Sequence, residues 1–257
     1  MNSANTQIYW LAAPGLPKNV CAGQTLAYVN KSESYLQEEG LYFGQQNFAL
    51  HVGDEVTQVQ IHRMQLLAQL QSLGVQQLRW LNQTHSTIVH RVEKALSLEL
   101  LDGDGLVTTE KGVALVMMTA DCLPIVLSNQ DGSEVACVHA GWRGLANGII
   151  EKTCATMTSQ ATHAWIGAAI SQENFQVGAE VRDIFLAQNP SYHEDFLAQD
   201  QDKYLADLYA IARKKLQALG VETIGGGERC SFKDESHFYS YRRQAKTGRM
   251  ATFIFIR

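Results

Sequence analysis

The apolar positions of this chain recur at two periods. Val113 to Ala120 reads VALVMMTA, a continuous apolar run of strand length, which predicts a buried central strand. Pro124 to Ala140, PIVLSNQDGSEVACVHA, holds two apolar runs around Asn-Gln-Asp-Gly-Ser, which is turn chemistry, and predicts a β-hairpin. Shorter strands are expected at QIYWLA (7–12), LRWL (78–81), STIVHRV (86–92), AWIGAAI (164–170) and ATFIFI (251–256). Helical spacing governs three other stretches. From Asp54 to Leu73, residues Val56, Ile61, Met64, Leu67 and Leu70 recur at roughly one per turn, with Asp54 as cap and Gly74 as stop. Leu145 to Met157 puts Leu145, Ile149, Ile150 and Cys154 on one side. Asp202 to Leu219 carries a stripe of Tyr204, Leu205, Leu208, Ile211, Ala212 and Leu216 and ends at Gly220. Strands mostly follow strands, and no repeat, low-complexity tract or linker interrupts them. The pattern predicts an α+β fold, a single domain over residues 1–257 with mixed β-sheets flanked by helices.

Composition narrows the function classes. Lys plus Arg is 21 against Asp plus Glu 26, a net charge of −5, which argues against a nucleic-acid partner. No apolar window approaches the length of a membrane span, and MNSANTQIYW lacks a basic stretch followed by an apolar run, so neither a membrane partner nor a secretory signal is expected. The five cysteines are odd in number and form no CxxC pair, which suits a reduced, cytoplasmic protein. Nothing in the composition sets an oligomeric state.

The candidate chemistry sits at the open end of the hairpin. With the turn centred on Gln130 and Asp131, Cys122 and His139 face each other, Cβ atoms roughly 4.5–5.5 Å apart; centred on Asp131 and Gly132, they are diagonal neighbours at roughly 7–8 Å. Either register leaves them on one face of the sheet, because the shift is two residues. Pro124 lacks a donor, so irregular pairing is expected near Cys122. Such a pair has three readings: core packing, a thiol nucleophile with an imidazole base, or two ligands of a metal such as zinc, which takes nitrogen and sulfur donors. A third ligand has to come from elsewhere. His85, in WLNQTHST between two expected strands, is the strongest candidate, and His51, in NFALHVGDE, is the next. His62, inside the first helix, is expected at the surface.

The segments NFALHVGD, WLNQTHST, TADCLPIVL, VHAGWRGLANGII and FYSYRRQAKTGRMA occur in that order. Together they resemble the family of zinc-containing purine nucleoside phosphorylases once called multicopper polyphenol oxidoreductases or laccases, also named the peptidoglycan editing factor family. The resemblance runs from about residue 8 to the C-terminus. It implies a catalytic metal site of His85, Cys122 and His139, holding zinc, with copper as the alternative ion. It also implies cleavage of adenosine, inosine, guanosine or methylthioadenosine by phosphate to give base and ribose 1-phosphate, with adenosine deamination through a zinc-bound water. The partners implied are a purine nucleoside and phosphate.

For substrate binding the candidates are His51, Arg143, Arg242 and Arg243, with Arg249 in the same motif, because a guanidinium fork matches two phosphate oxygens. Trp142 is a candidate to stack on a purine. GGGER, residues 225–229, offers backbone amides but lacks phosphate-loop spacing. Two departures stand out. Ser86 follows His85 where the family has glycine, and IGAAISQENFQVG replaces a segment that carries Gly-Pro and a cysteine pair in relatives, so no further thiol role carries over. The family names leave two alternative activities: an amidase-like hydrolase that edits a peptidoglycan precursor, and a copper-dependent polyphenol oxidase. Against the latter, the repeated His-x-His motifs of multicopper oxidases are missing from this sequence.

Overall fold

The computed structural model describes residues 7–28, 42–93 and 99–257. In chain order they form β1 (Trp10–Ala12), β2 (Val20–Thr25), α1 (Val56–Gln71), β3 (Gln77–Arg79), β4 (Leu81–Asn82), β5 (Val89–Arg91), β6 (Leu101–Asp102), β7 (Gly105–Thr108), β8 (Val113–Thr119), β9 (Leu123–Asn129) and β10 (Val135–Ala140). There follow α2 (Trp142–Ala146), α3 (Ile149–Thr156), β11 (Ala161–Ile166), β12 (Gln176–Gly178), α4 (Ala179–Gln188), β13 (Phe196–Ala198), β14 (Lys203–Ala206), α5 (Leu208–Ala218), β15 (Thr223–Gly226) and β16 (Met250–Ile256). Two sheets dominate, one ordered β1-β2-β16-β8-β3 and the other β15-β11-β9-β10-β7-β5. Both are mixed: β3 runs parallel to β8, β5 to β7 and β15 to β11, whereas the hairpins are antiparallel.

Side-chain alternation stacks the two sheets face to face. Along β8, Val113, Leu115 and Met117 point between them and meet Val126, Val135, Cys137 and Trp165 of the other sheet. Ala114, Val116 and Met118 point outward, onto Leu66 and Leu70 of α1. On the second sheet Ile125, Leu127, Ala136 and Val138 face outward, onto α3 and α5. The architecture is therefore four layers, helix on sheet on sheet on helix, the flanked mixed sheets that the pattern predicts. All of β8 is buried, as its continuous apolar run requires. Among the described residues no helix is long and apolar enough to cross a membrane.

Several element boundaries differ from the sequence reading, each for a local reason. The stretch 202–219 is not one helix: Tyr204 and Leu205 lie in β14, and α5 starts only after Asp207, whose carboxylate accepts the Ala210 N–H as an N-cap. Leu145–Met157 is broken in two by Gly148 at φ +90°, a conformation glycine adopts at little cost. The strand expected at 164–170 spans Ala161–Ile166 instead, and that expected at 7–12 is only Trp10–Ala12. LRWL splits into β3 and β4, and STIVHRV contributes only Val89–Arg91.

Helix α1 turns a different face inward. Val59, His62, Leu66 and Leu70 are buried, whereas Val56, Ile61 and Met64 are exposed. His62 is thus a core residue, its Nδ1 2.9 Å from the Asn47 carbonyl and its Nε2 2.9 Å from the Gln58 amide. Asp54 does not cap this helix; its carboxylate accepts the Glu55 N–H and the Asn47 amide. Leu66→Ala is expected to cost about 2–5 kcal/mol, as a buried large-to-small change does. Met64→Ala should stay within about 0.5 kcal/mol. Urea denaturation of the two variants checks which face is packed.

Candidate metal centre and its cavity

The hairpin adopts the register centred on Asp131 and Gly132, with His139 opposite Pro124 and Val135 opposite Ser128. Gly132, at φ +70°, supplies the left-handed residue of the turn. Cys122 lies just ahead of β9, diagonal to His139. Pro124 pairs without a ladder defect towards β10, because the His139 N–H points the other way and donates to the Asp104 carbonyl at 2.8 Å.

Three chain segments end at this edge of the sandwich. The loop after β4 carries His85, the turn between β8 and β9 carries Cys122, and the end of β10 carries His139. Their ligand atoms lie within 4.8 Å of one another. Cys122 Sγ is 3.7 Å from His85 Nε2, and the two imidazole rings cross nearly edge to face with centroids 4.7 Å apart. Around a tetrahedral zinc with ordinary bond lengths, sulfur and nitrogen ligands would be about 3.6 Å apart. The donor set and spacing fit such an ion, and the three side chains could hold one. His85 at φ +58° and Asp121 at φ +90° are both non-glycine residues in the left-handed region, so local backbone strain is concentrated at the site.

The sequence reading missed Asp104, the residue that assembles this corner. Its side chain is fully buried. Its Oδ1 accepts from His139 Nδ1 at 2.7 Å and from the His85 N–H at 3.2 Å; its Oδ2 accepts the Ser86 N–H at 2.6 Å and the Ser86 hydroxyl at 2.8 Å. Burial pushes this carboxyl up, but the His139 and Ser86 hydrogen bonds outweigh it and hold the group down to about 2. With Nδ1–H donating to Asp104, His139 turns Nε2 towards Cys122 and His85. Ser86 thus supplies its hydroxyl to this carboxylate. Gln83 ties the same loop to β8, its amide donating to the Met118 carbonyl at 2.8 Å and accepting the Met118 N–H at 2.7 Å.

Burial alone would raise the Cys122 thiol, yet His139 and His85 bring it well below its ordinary value. Burial likewise opposes the charge on His139, and Cys122 and Asp104 overcome it and raise the imidazole. The thiolate is therefore favoured, the form that binds metal. Gly141 is required by close approach rather than by a turn, since its φ is −64°. A Cβ there would lie 2.7 Å from His85 Cδ2 and 3.0 Å from Cys122 Sγ.

The three donors open onto a cavity of about 430 Å³. His51, Arg143, Arg242, Arg249 and Trp142 line it. Three guanidinium groups there each sit over an aromatic ring: Arg143 over Trp142 at 4.3 Å, Arg242 over Phe175 at 5.1 Å and Arg249 over Tyr241 at 5.7 Å. Partial burial, then the charges of Arg249 and Arg63, lower the His51 imidazole, which favours its neutral form. Arg243 does not line the cavity; its guanidinium donates to the carbonyls of Ser231, Phe232 and Phe238 and braces the loop behind it. Asp121 also lines the cavity, and its carboxylate accepts the Ser231 hydroxyl at 2.6 Å and the Arg242 N–H at 2.7 Å. GGGER is absorbed into β15 and its exit turn, where the Gly227 N–H donates to the Ile166 carbonyl.

The family model described as multi-copper polyphenol oxidoreductase laccase matches residues 37–257. The chain belongs to this laccase family. Its relatives include purine nucleoside phosphorylase YfiH of Escherichia coli (strain K12), 41% identical over 216 residues, which cover 82% of this chain and 86% of that one. Purine nucleoside phosphorylase PA4543 of Pseudomonas aeruginosa is 36% identical over 83% of this chain and 87% of its own. Among solved structures, Neisseria meningitidis protein NMB0706 superposes with a TM-score of 0.85 at 37% identity, covering 96% of this chain and 98% of that one. YlmD from Geobacillus stearothermophilus gives 0.79 at 28% identity and 96% coverage of both. Despite the family's description, His85, Cys122 and His139 are the one clustered donor group of this kind among the described residues.

Asp104→Asn keeps the shape of the side chain and removes the charge that orients His139. Loss of an outer carboxylate of this kind typically weakens metal binding about 10- to 100-fold. Zinc titration against a chromophoric chelator is expected to show a loss in that range.

Proposed function

We propose that this chain is a zinc-dependent purine nucleoside phosphorylase, with His85, Cys122 and His139 as metal ligands. The observation that carries the reading is the meeting, in one cavity, of the three-donor corner with three guanidinium–aromatic pairs. The relatives' names supply the substrate class. Aromatic faces suit a purine, and guanidinium forks suit phosphate.

In phosphorolysis a phosphate oxygen bonds to C1′ of the ribose as the bond from C1′ to the purine nitrogen breaks. The products are ribose 1-phosphate and the base, which leaves with the bonding electron pair and takes up a proton. Arg143, Arg242 and Arg249 hold phosphate and offset its charge as it approaches. Trp142, Phe175 and Tyr241 position the base. Neutral His51 offers a ring N–H to the base as negative charge grows on it. When bound, zinc supplies a Lewis acid that lowers the pKa of water towards about 7, the chemistry adenosine deamination needs. We extend the reading to that second activity, and to adenosine, inosine, guanosine and methylthioadenosine as the nucleosides cleaved.

Protein purified without added metal should carry zinc, detectable by elemental analysis. Adenine and ribose 1-phosphate should form only when phosphate is present, and inosine should form without it. Cys122→Ala and His139→Ala are each expected to lose zinc and at least about a hundredfold of turnover, comparable to removing a group that stabilises the transition state. Retained zinc and full turnover in Cys122→Ala would sink the site assignment. Base release that ignores phosphate would point to a hydrolase instead.

A further inference from the structure

A second cavity, of about 360 Å³, lies where the edge strand of each sheet meets the other, walled by β3 to β6 and by Arg63 of α1. It shares no lining residue with the cavity of the metal centre. Arg79 enters it from β3. In the parallel register Arg79 pairs with Leu115, which packs between the sheets, so the side chain is directed inward. The residue is only 9% exposed. Among the described residues its guanidinium makes no hydrogen bond or ion pair.

A guanidinium carries five N–H donors and keeps its charge inside a protein, and none of the Arg79 nitrogens is sealed off without a partner, so its free donors open onto the cavity. Its cationic neighbours are engaged elsewhere. Arg63 lines the same cavity, donates to the Phe48 carbonyl at 2.9 Å, sits 4.2 Å over Trp80 and has no carboxylate partner among the described residues. Arg91 is already committed to Glu134 at 2.6 Å. His90 meets the Asp102 carbonyl at 2.7 Å. Glu99 is the one acidic side chain among the described lining residues. The other walls, including Trp80, Leu101 and Leu106, are apolar.

We propose that this cavity binds a small organic anion, its carboxylate or phosphate head on Arg79 beside Arg63 and its apolar body against Trp80, Leu101 and Leu106. Both heads present two oxygens in one plane, which the guanidinium fork matches. The site is independent of the purine site, and its test does not depend on nucleoside turnover.

Benzoate and phenyl phosphate carry head and body together; inorganic phosphate and benzyl alcohol carry one each. Isothermal titration of the full-length, metal-loaded protein should show an Arg79-dependent site for benzoate or phenyl phosphate, separate from any binding at the arginines of the first cavity, and which of the two binds more tightly there identifies the head. Arg79→Leu should weaken that binding at least tenfold, whereas Cys122→Ala should change it less than twofold. The Arg79 Nε–H resonance of the unmodified protein, assigned with Arg79→Lys, should move with benzoate or phenyl phosphate and stay put with benzyl alcohol. This readout stands even if Arg79→Leu does not fold. An unmoved Arg79 resonance at saturation, unchanged affinity in Arg79→Leu, or binding lost in Cys122→Ala would each overturn the proposal, the last by placing the anion in the first cavity.

Discussion

A single buried carboxylate, Asp104, organises the functional end of this molecule. It holds the imidazole of His139 and the backbone of His85 and Ser86, while its own carbonyl accepts the His139 N–H. Two donors from distant parts of the chain are thereby locked to the start of β7. The glycines on either side make this approach feasible: a Cβ on Gly103 would lie 3.1 Å from the Ile88 carbonyl, and one on Gly105 would lie 2.8 Å from Val89. A fully buried anion is tolerable only because its hydrogen-bond capacity is filled by N–H and O–H donors and a cationic or polarised imidazole.

The layered fold explains why the chemistry collects at one place. β4, β8 and β10 all stop at the same edge of the sandwich, so three loops that are far apart in sequence share one corner. The sheets behind them bury an apolar core between them, which fixes the loop ends and leaves the polar groups at the mouth. Local strain at His85 and Asp121 is sustained by that rigid support.

The charge balance is uneven across the molecule. The chain is acidic overall, yet the cavity of the metal centre gathers Arg143, Arg242 and Arg249, each placed over a ring. Asp121 and the Cys122 thiolate share that lining, so the three guanidinium groups face carboxylate and thiolate as well as any incoming anion. Arg63 stands between the two cavities: it lines the second, while its guanidinium reaches Met118 Sδ, and Met118 lines the first.

Much of this was legible from local pattern. The run at Val113–Thr119, the hairpin joining β9 to β10 and the closing strand at Met250–Ile256 follow from apolar runs and turn residues alone, whereas the hairpin's register, centred on Asp131 and Gly132, does not. Period-two alternation by itself puts Cys122 and His139 on one face, because a two-residue register shift preserves the face. What local pattern could not decide depends on contacts across the chain. The inward face of α1 is Val59, Leu66 and Leu70 with His62 held on the Asn47 carbonyl among them, rather than the stripe that included Val56, Ile61 and Met64. Arg242 and Arg243 are adjacent in sequence, yet one lines the cavity and the other braces a loop, since neighbouring side chains diverge and only packing selects which points inward. Asp104 had no signature beyond an acid in a glycine-flanked turn. Its role arises from sequence separations of 18 to 35 residues, and only the closed sandwich brings those partners within hydrogen-bonding reach.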